Sequence, residues 1–151
     1  YKKDWGICLS YNQFKKLNTF KKIRSNNRKL IINKLVNSKN WTNQYQFVKA
    51  IKHLDPSWFG LPLLLNKKYI KQKAKFLAKI NKKGLETRPI ISGNFVNQKS
   101  VKLYNLNHKK EKFYNTQNIE DRGFFIGIHL KKISNSELNF LEKNLLDLDE
   151  N

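Results

Sequence analysis

Trp58-Phe59-Gly60-Leu61-Pro62-Leu63-Leu64-Leu65 is the apolar stretch on which the prediction of the fold depends. Its composition, and the break at Asp55-Pro56 just before it, predict a buried strand. Pro62 has no N–H to donate to a strand ladder, which indicates an edge position or a bulge. A helix with Ile70, Ala74, Leu77 and Ile80 on one face is predicted next, and Gly84 stands where a left-handed helix cap is favoured.

Two further strands are predicted outward from this stretch. Glu86-Thr87-Arg88-Pro89-Ile90-Ile91 predicts the second strand, and Ser92-Gly93-Asn94 ends it because these residue types tolerate tight or left-handed backbone. Phe124-Phe125-Ile126-Gly127-Ile128 predicts the third strand. Ser134-Asn135-Ser136-Glu137 has the pattern of a capping box, which predicts the start of a last helix.

The N-terminal part has the period of a long amphipathic helix. From Ile7 to Leu35, apolar residues recur at spacings of three and four, apart from one polar gap near Asn27. The polar cluster Asn37-Ser38-Lys39-Asn40 predicts the end of this helix, and a loop is expected from there to about Ser57. The segment from Phe95 to Asn118 is irregular and predicts no more than one helical turn.

The order of these elements predicts the fold class α+β, with α/β as the alternative. We expect a small mixed sheet with covering helices, and a long first helix that lies partly outside this arrangement. Residues 1–53 are interpreted as an interdomain helix and loop, and residues 54–151 as a small domain.

The composition is that of a folded, strongly basic chain. Hydrophobic residues make up 39% and aromatic residues 13%, which argues against disorder. The net charge of +20 favours a polyanionic partner. Nearly all of this charge is lysine, whereas dedicated phosphate-binding sites favour arginine, so an AT-rich genome explains the charge equally well.

Several other classes of protein are disfavoured. No apolar run approaches the ~20 residues that span a bilayer, and the opening is unlike a signal peptide, so we expect a soluble cytoplasmic protein that does not bind membranes. One cysteine excludes an internal disulfide, and three scattered histidines give no metal-ligand spacing. The sequence contains no Met and opens on Tyr1, so we expect the natural start to lie further upstream.

The strongest candidate for a binding site lies between Gly84 and Asn94. Arg88, Ser92 and Asn94 place a guanidinium, a hydroxyl and an amide at a strand end and its turn, and such a set binds oxyanions or sugar hydroxyls. In the alternative interpretation, Arg88 pairs with a surface acid and Asn94 caps the turn. His129, at the end of the third strand, either faces the site or has a structural role.

Three motifs in order resemble a known family. The three motifs are, in chain order, Asp55-Pro56-Ser57-Trp58-Phe59-Gly60-Leu61-Pro62, the segment Gly84–Asn94, and Glu120-Asp121-Arg122-Gly123-Phe124-Phe125-Ile126-Gly127. The chain is similar to the C-terminal domain of the DegT/DnrJ/EryC1/StrS sugar aminotransferase family. The Ser-Gly-Asn turn and the Asp-Pro-Ser-Trp-Phe-Gly motif resemble the branch that removes the 3-hydroxyl from nucleotide 4-keto-6-deoxyhexoses, the 3-dehydrases. The helix from Trp5 to Leu17 resembles the one that follows the family's cofactor-binding domain.

The resemblance implies the C-terminal part of an enzyme whose pyridoxal phosphate is held mainly by an N-terminal domain absent from this chain. In that domain a Lys forms a Schiff base with the cofactor, or a His replaces it in the 3-dehydrase branch. The chain would then hold no catalytic residue, act within a homodimer, and help bind a nucleotide-linked keto-deoxy sugar for 3-dehydration or transamination. The implied substrate-binding residues are Arg88, Ser92, Asn94, Gln98 and His129.

Two other functions compete with this one. A Lys-rich nucleic-acid-binding module would place lysines on phosphates and aromatic rings on bases, but the lysines are spread over every predicted helix. A noncatalytic scaffold with the same fold is the third possibility. Trp58 and Phe59 are predicted to be core residues, and the adjacent Glu120, Asp121 and Arg122 predict a local ion pair because neighbouring side chains rarely converge on one site.

Overall fold

The computed structural model describes residues 2–106 and 113–148, with side chains from residue 11 onward. Within that part, no helix is long and apolar enough to cross a membrane. The helices are α1 (Lys2–Val36), α2 (Lys73–Lys82), α3 (Lys99–Leu103), α4 (Tyr114–Arg122) and α5 (Asn135–Leu145). The strands are β1 (Tyr45–Phe47), β2 (Gly60–Leu65), β3 (Thr87–Arg88) and β4 (Gly123–Gly127).

The four strands form one sheet in the order β1-β2-β4-β3. Every neighbouring pair is antiparallel, so the α+β prediction is confirmed and the predicted mixed sheet is corrected. The physical reason is the position of β4, which lies between β2 and β3. Strands β2 and β3 run in the same direction but are not neighbours, and a mixed sheet requires a parallel pair.

Pro62 lies inside β2, opposite Phe125 of β4. Strand β1 pairs with β2 only from Leu63 to Leu65, so Pro62 lies beyond the end of β1. On that side no strand needs the N–H that proline lacks. At Pro62 itself, one side of β2 therefore has no partner strand, as at a sheet edge, although β2 as a whole is an inner strand.

The core lies on one face of the sheet, between the strands and the covering helices. Alternate residues of β2 point into it, because side chains along a strand alternate between the two faces. Asn27, Ile31 and Leu35 are spaced four apart on α1, so the C-terminal turns of that helix present one buried face. The buried apolar residues that form the core include Ile31, Leu35, Leu61, Leu63, Leu65, Phe76, Ile80, Phe124, Ile126, Leu141 and Leu145.

The predicted helix ends are confirmed. Helix α1 ends at Val36, just before the polar cluster. At the start of α5, Ser134 Oγ accepts from the N–H of Glu137, and the carboxylate of Glu137 accepts from the N–H of Ser134 at 2.7 Å, as a capping box requires. Gly84 has φ +89°, the left-handed value expected after a helix.

The second predicted strand is shorter than expected. It covers only Thr87–Arg88, because Pro89 removes a ladder donor and Ile91 has φ +49°, outside the strand region. Phe59, predicted as core, is 65% exposed, whereas Trp58 packs against the core as predicted.

Two elements were not predicted. Strand β1 has three residues, too few to show an alternation. Helix α4 is mostly polar, and Ile119 is its one aliphatic residue, so no apolar stripe marks it in the sequence. Both lie in segments that the sequence indicated as loops or irregular structure.

Candidate functional site

The candidate site is a turn with an unusual backbone. Gly93 has φ +64°, and its N–H donates to the carbonyl of Ile90 at 3.1 Å. A Cβ at Gly93 would lie 3.0 Å from Cγ of Glu120, so glycine is needed here both for its conformation and for space. Ile91 is also left-handed, which for a β-branched residue costs on the order of 1–3 kcal/mol.

Helix α4 holds this turn through two polar side chains. The N–H of Asn94 donates to Glu120 Oε2 at 2.5 Å, and its Nδ2 donates to Gln117 Oε1 at 2.9 Å. Asn97 Nδ2 donates to the same Gln117 oxygen at 2.8 Å. Because Asn94 is 5% exposed and its amide is bound to Gln117, its role in the described structure is to fix the turn.

Ser92 and Gln98 lie together on the exposed side of the turn. Gln98 Nε2 donates to the backbone carbonyl of Ser92 at 2.6 Å. Both residues are exposed, so the Ser92 hydroxyl is accessible to a ligand. The structure thus brings Ser92, Asn94 and Gln98 into one turn.

Arg88 precedes the turn on β3 and pairs with a surface acid. Its Nε donates to Glu86 Oε1 at 2.9 Å, and Nη2 lies 2.8 Å from the same oxygen. The two side chains are 65% and 74% exposed, so the ion pair contributes little to stability. The guanidinium can therefore exchange Glu86 for a ligand oxyanion at little cost.

His129 lies at the other end of β4. The turn adjoins Gly123 at one end of β4, whereas His129 lies two residues past Gly127 at the other end. At about 3.3 Å per residue, Gly123 and Gly127 are roughly 13 Å apart. There it lines a groove of about 730 Å³ together with Gly84, Leu85 and Lys131. The structure therefore does not bring His129 together with Ser92, Asn94 and Gln98.

The side chains around α4 carry interactions that the sequence did not indicate. Arg122 is buried and donates to the carbonyl of Leu65 at 2.5 Å and to Asn118 Oδ1 at 2.9 Å. These partners replace the predicted local ion pair, because Arg122 faces the sheet while Glu120 faces the turn. Lys73 Nζ donates to the carbonyl of Glu120 at 2.7 Å, and burial lowers the pKa of Lys73 although nearby carboxylates act in the opposite direction.

The signals that could have indicated this network are weak. Gln117 and Glu120 are three residues apart, which places both on one side of a helix once α4 is known. Their partners Asn94 and Asn97 have the same spacing. Without a predicted helix, neither pair distinguishes a binding network from ordinary polar loop composition.

Two solved structures share this fold. GDP-4-keto-6-deoxy-D-mannose-3-dehydratase of E. coli, solved with bound hydrated PLP, matches 89% of this chain and 33% of its own with a TM-score of 0.75 at 24% identity. Helicobacter pylori PseC, an aminotransferase involved in the biosynthesis of pseudoaminic acid, matches 93% of this chain and 35% of its own with a TM-score of 0.74 at 13% identity. The fold is that of one part of sugar-modifying dehydratases and aminotransferases.

Two curated proteins are similar to this chain in sequence. GDP-4-keto-6-deoxy-D-mannose 3-dehydratase of Yersinia pseudotuberculosis is 29% identical over 123 residues, which are 81% of this chain and 30% of the relative. The Escherichia coli enzyme of that name is 24% identical over 138 residues, 91% of this chain and 34% of its own. No family profile matches. The predicted resemblance is confirmed as homology, and the chain spans about a third of the length of the curated relatives it matches.

Proposed function

We propose that this chain is the substrate-side part of a pyridoxal-phosphate enzyme that removes the 3-hydroxyl from a nucleotide-linked 4-keto-6-deoxy sugar. One observation carries the proposal: two 3-dehydratases align with 81% and 91% of the chain, and a solved structure of such an enzyme has the same fold. Transamination of the same class of sugar is the second candidate, because an aminotransferase shares the fold.

Pyridoxal phosphate is proposed to bind mainly to the part of the enzyme that this chain lacks. Among the side chains of residues 11–106 and 113–148, the basic groups of the elements that support the candidate turn from behind include Lys73, bound to the carbonyl of Glu120, and Arg122, bound to Leu65 and Asn118. These residues do not fit a cofactor cradle. We therefore assign the cofactor's electron-sink chemistry, and the catalytic residues, to the remainder of the enzyme.

The turn is proposed to orient the sugar. Its exposed hydroxyl, Ser92, and the carboxamide of Gln98 offer hydrogen bonds of the kind that sugar hydroxyls accept and donate. Arg88 is proposed to exchange Glu86 for a phosphate or sugar oxygen, since a guanidinium binds oxyanions through charge-assisted hydrogen bonds. Asn94 supports the site indirectly by fixing the turn, and His129 is proposed to reach the substrate from the groove at the other end of β4.

The organisation of the whole enzyme is part of the same proposal. The division between residues 1–53 and 54–151 stays a prediction; because Tyr45–Phe47 joins the sheet and Ile31 joins the core, we propose that the small domain extends back into α1. We further propose a homodimer located in the cytoplasm and active in lipopolysaccharide or other deoxysugar biosynthesis.

The test uses the full-length enzyme with GDP-4-keto-6-deoxymannose, pyridoxal phosphate and glutamate. Mass spectrometry of the sugar product distinguishes the reactions: 3-dehydration leads to loss of the 3-hydroxyl oxygen, whereas transamination exchanges the keto oxygen for an amino group. We expect the first product. Recovery of unchanged substrate with this and other nucleotide 4-keto-6-deoxyhexoses would contradict the proposed function.

The net charge of +20 is the observation that favours the alternative, a lysine-rich nucleic-acid-binding module. Binding of that kind weakens steeply with salt because counterions are released from phosphates. We expect no salt-dependent affinity for single-stranded or duplex oligonucleotides that exceeds the affinity of another protein of equal charge. A steep, tight salt dependence would favour the alternative.

A further inference from the structure

Ile91 is the most exposed large apolar side chain in the part of the chain that the structure describes. It is 88% exposed and stands at the tip of the turn, next to Ser92. Its φ of +49° lies in the left-handed region, where a β-branched side chain is rarely found. Strained backbone of this kind persists only where the surrounding structure holds it, and it is concentrated at functional sites.

The surroundings of Ile91 do hold it. The N–H of Gly93 donates to the carbonyl of Ile90 at 3.1 Å, Gln98 donates to the carbonyl of Ser92 at 2.6 Å, and Glu120 accepts from Asn94 at 2.5 Å. These bonds fix the backbone on both sides of Ile91 and leave its side chain in solvent. A glycine or asparagine would adopt this backbone without strain, so conformation alone does not explain an isoleucine here.

We propose that Ile91 is a specificity-determining residue whose side chain contacts the deoxy carbon, C6, of the sugar; the inference rests on the proposed function. The substrate class is a polar molecule with one methyl group, and the turn has a matching pattern: Ser92, Gln98 and Arg88 are polar and exposed. Ile91, next to Ser92, is the most exposed apolar side chain of the turn, at 88% against 54% for Phe95. An apolar contact favours a methyl group, whereas a hydroxymethyl group at C6 would lose hydration against the same side chain.

The experiment compares Ile91→Gly with the wild-type full-length enzyme. Glycine relieves the strain and removes the side chain, so we expect unchanged or higher stability together with a lower kcat/KM. The discriminating readout is the ratio of the inhibition constants of GDP-mannose and GDP-6-deoxymannose, which differ only in the hydroxyl at C6. We expect the preference for the 6-deoxy compound to fall by about tenfold, the lower end of the effect that one methylene contact has in a hydrophobic pocket.

The control is Ile51→Gly, which removes an isoleucine that is 72% exposed in another loop and is expected to leave the ratio unchanged. An Ile91→Gly enzyme with an unchanged ratio would overturn the inference, even if its activity fell, because a contact with another part of the enzyme affects both inhibitors equally. If the wild-type enzyme turns over no nucleotide 4-keto-6-deoxy sugar, the proposed function fails instead, so the two failures are distinguishable.

Discussion

The two ends of β4 are held by different kinds of interaction. Beyond Gly127, the buried amide of Asn27 donates to the carbonyls of His129 and Lys131, at 3.2 and 2.7 Å, and accepts from the N–H of Ile133 at 3.1 Å. Beside Gly123, the turn that contains Ile91 is held by polar side chains of α4, and much of it is exposed.

The difference separates the stability of the fold from the geometry of the site. Hydrogen bonds in a buried environment are costly to break, because the remaining partners cannot turn to water. Bonds at an exposed turn can be replaced by water, so such a turn can open without unfolding the rest. Substitutions in the core and near Asn27 should therefore lower the stability of the whole domain, whereas substitutions at the turn should change the site.

The largest effect is expected from Leu63→Ala in the core. Leu63 is fully buried on an inner strand, and deletion of such a side chain costs about 2–5 kcal/mol through lost burial and the resulting cavity. Urea unfolding measures this loss. Leu103→Ala is the matched control, because Leu103 is 77% exposed and its truncation should change the free energy of unfolding by no more than about 0.5 kcal/mol. Equal losses for both variants would contradict the described core.

The next largest effect is expected at the end of β4 beyond Gly127, where Asn27 holds the backbone. Asn27→Ala leaves two carbonyls and one N–H without their partner in a site where Asn27 is 1% exposed, so we expect a loss of about 2–3 kcal/mol in the free energy of unfolding. Asn26→Ala removes the same side chain from the exposed side of the same helix turn and should be close to neutral. If the two variants unfold at the same urea concentration, the hydrogen bonds of Asn27 do not stabilise the domain.

The same contrast explains how much could be predicted from the sequence. The apolar runs of β2 and β4 predicted the core, because burial leaves a repeating pattern in sequence. The period of α1 did so only for its C-terminal turns: Ile31 and Leu35 are buried, whereas Phe14 on the same predicted face is exposed. The burial of Asn27 was not predicted, because a polar residue interrupts the apolar period of α1. Nothing in the sequence indicated that its hydrogen-bond partners lie about a hundred residues away. The turn was found through Gly93 and its neighbours, but its supports Gln117 and Glu120 were missed because polar contacts across the chain have no period.

At the turn, Glu120→Ala should act locally. It removes the acceptor of the Asn94 N–H, which costs about 1–2 kcal/mol where that group stays shielded from water. We expect faster amide hydrogen exchange at Asn94 and Gly93 and a lower kcat/KM, with a smaller change in global unfolding than Asn27→Ala produces. Asp55→Ala removes an exposed carboxylate that pairs with Lys21 at 2.6 Å and serves as the control for lost charge. A uniform rise of exchange over the whole sheet would show that Glu120 stabilises the fold and not the turn alone.

The smallest effect concerns an ion pair outside both regions, at the end of α5. Hydrogen bonding with Lys79, at 2.9 Å, lowers the pKa of Asp147 below the ordinary aspartate value of 3.8, and Lys83 acts in the same direction. Because the folded state has the lower pKa, this stabilisation is complete above the unfolded value and is lost as pH falls through the folded value. Asp147→Asn should therefore unfold at a slightly lower temperature than the wild type at neutral pH, and the two melting curves should converge as the pH falls through the lowered pKa of the folded state. Since the carboxylate is partly exposed, added salt should reduce the difference at neutral pH; a difference that persists at both low pH and high salt would mean that packing, not charge, is lost.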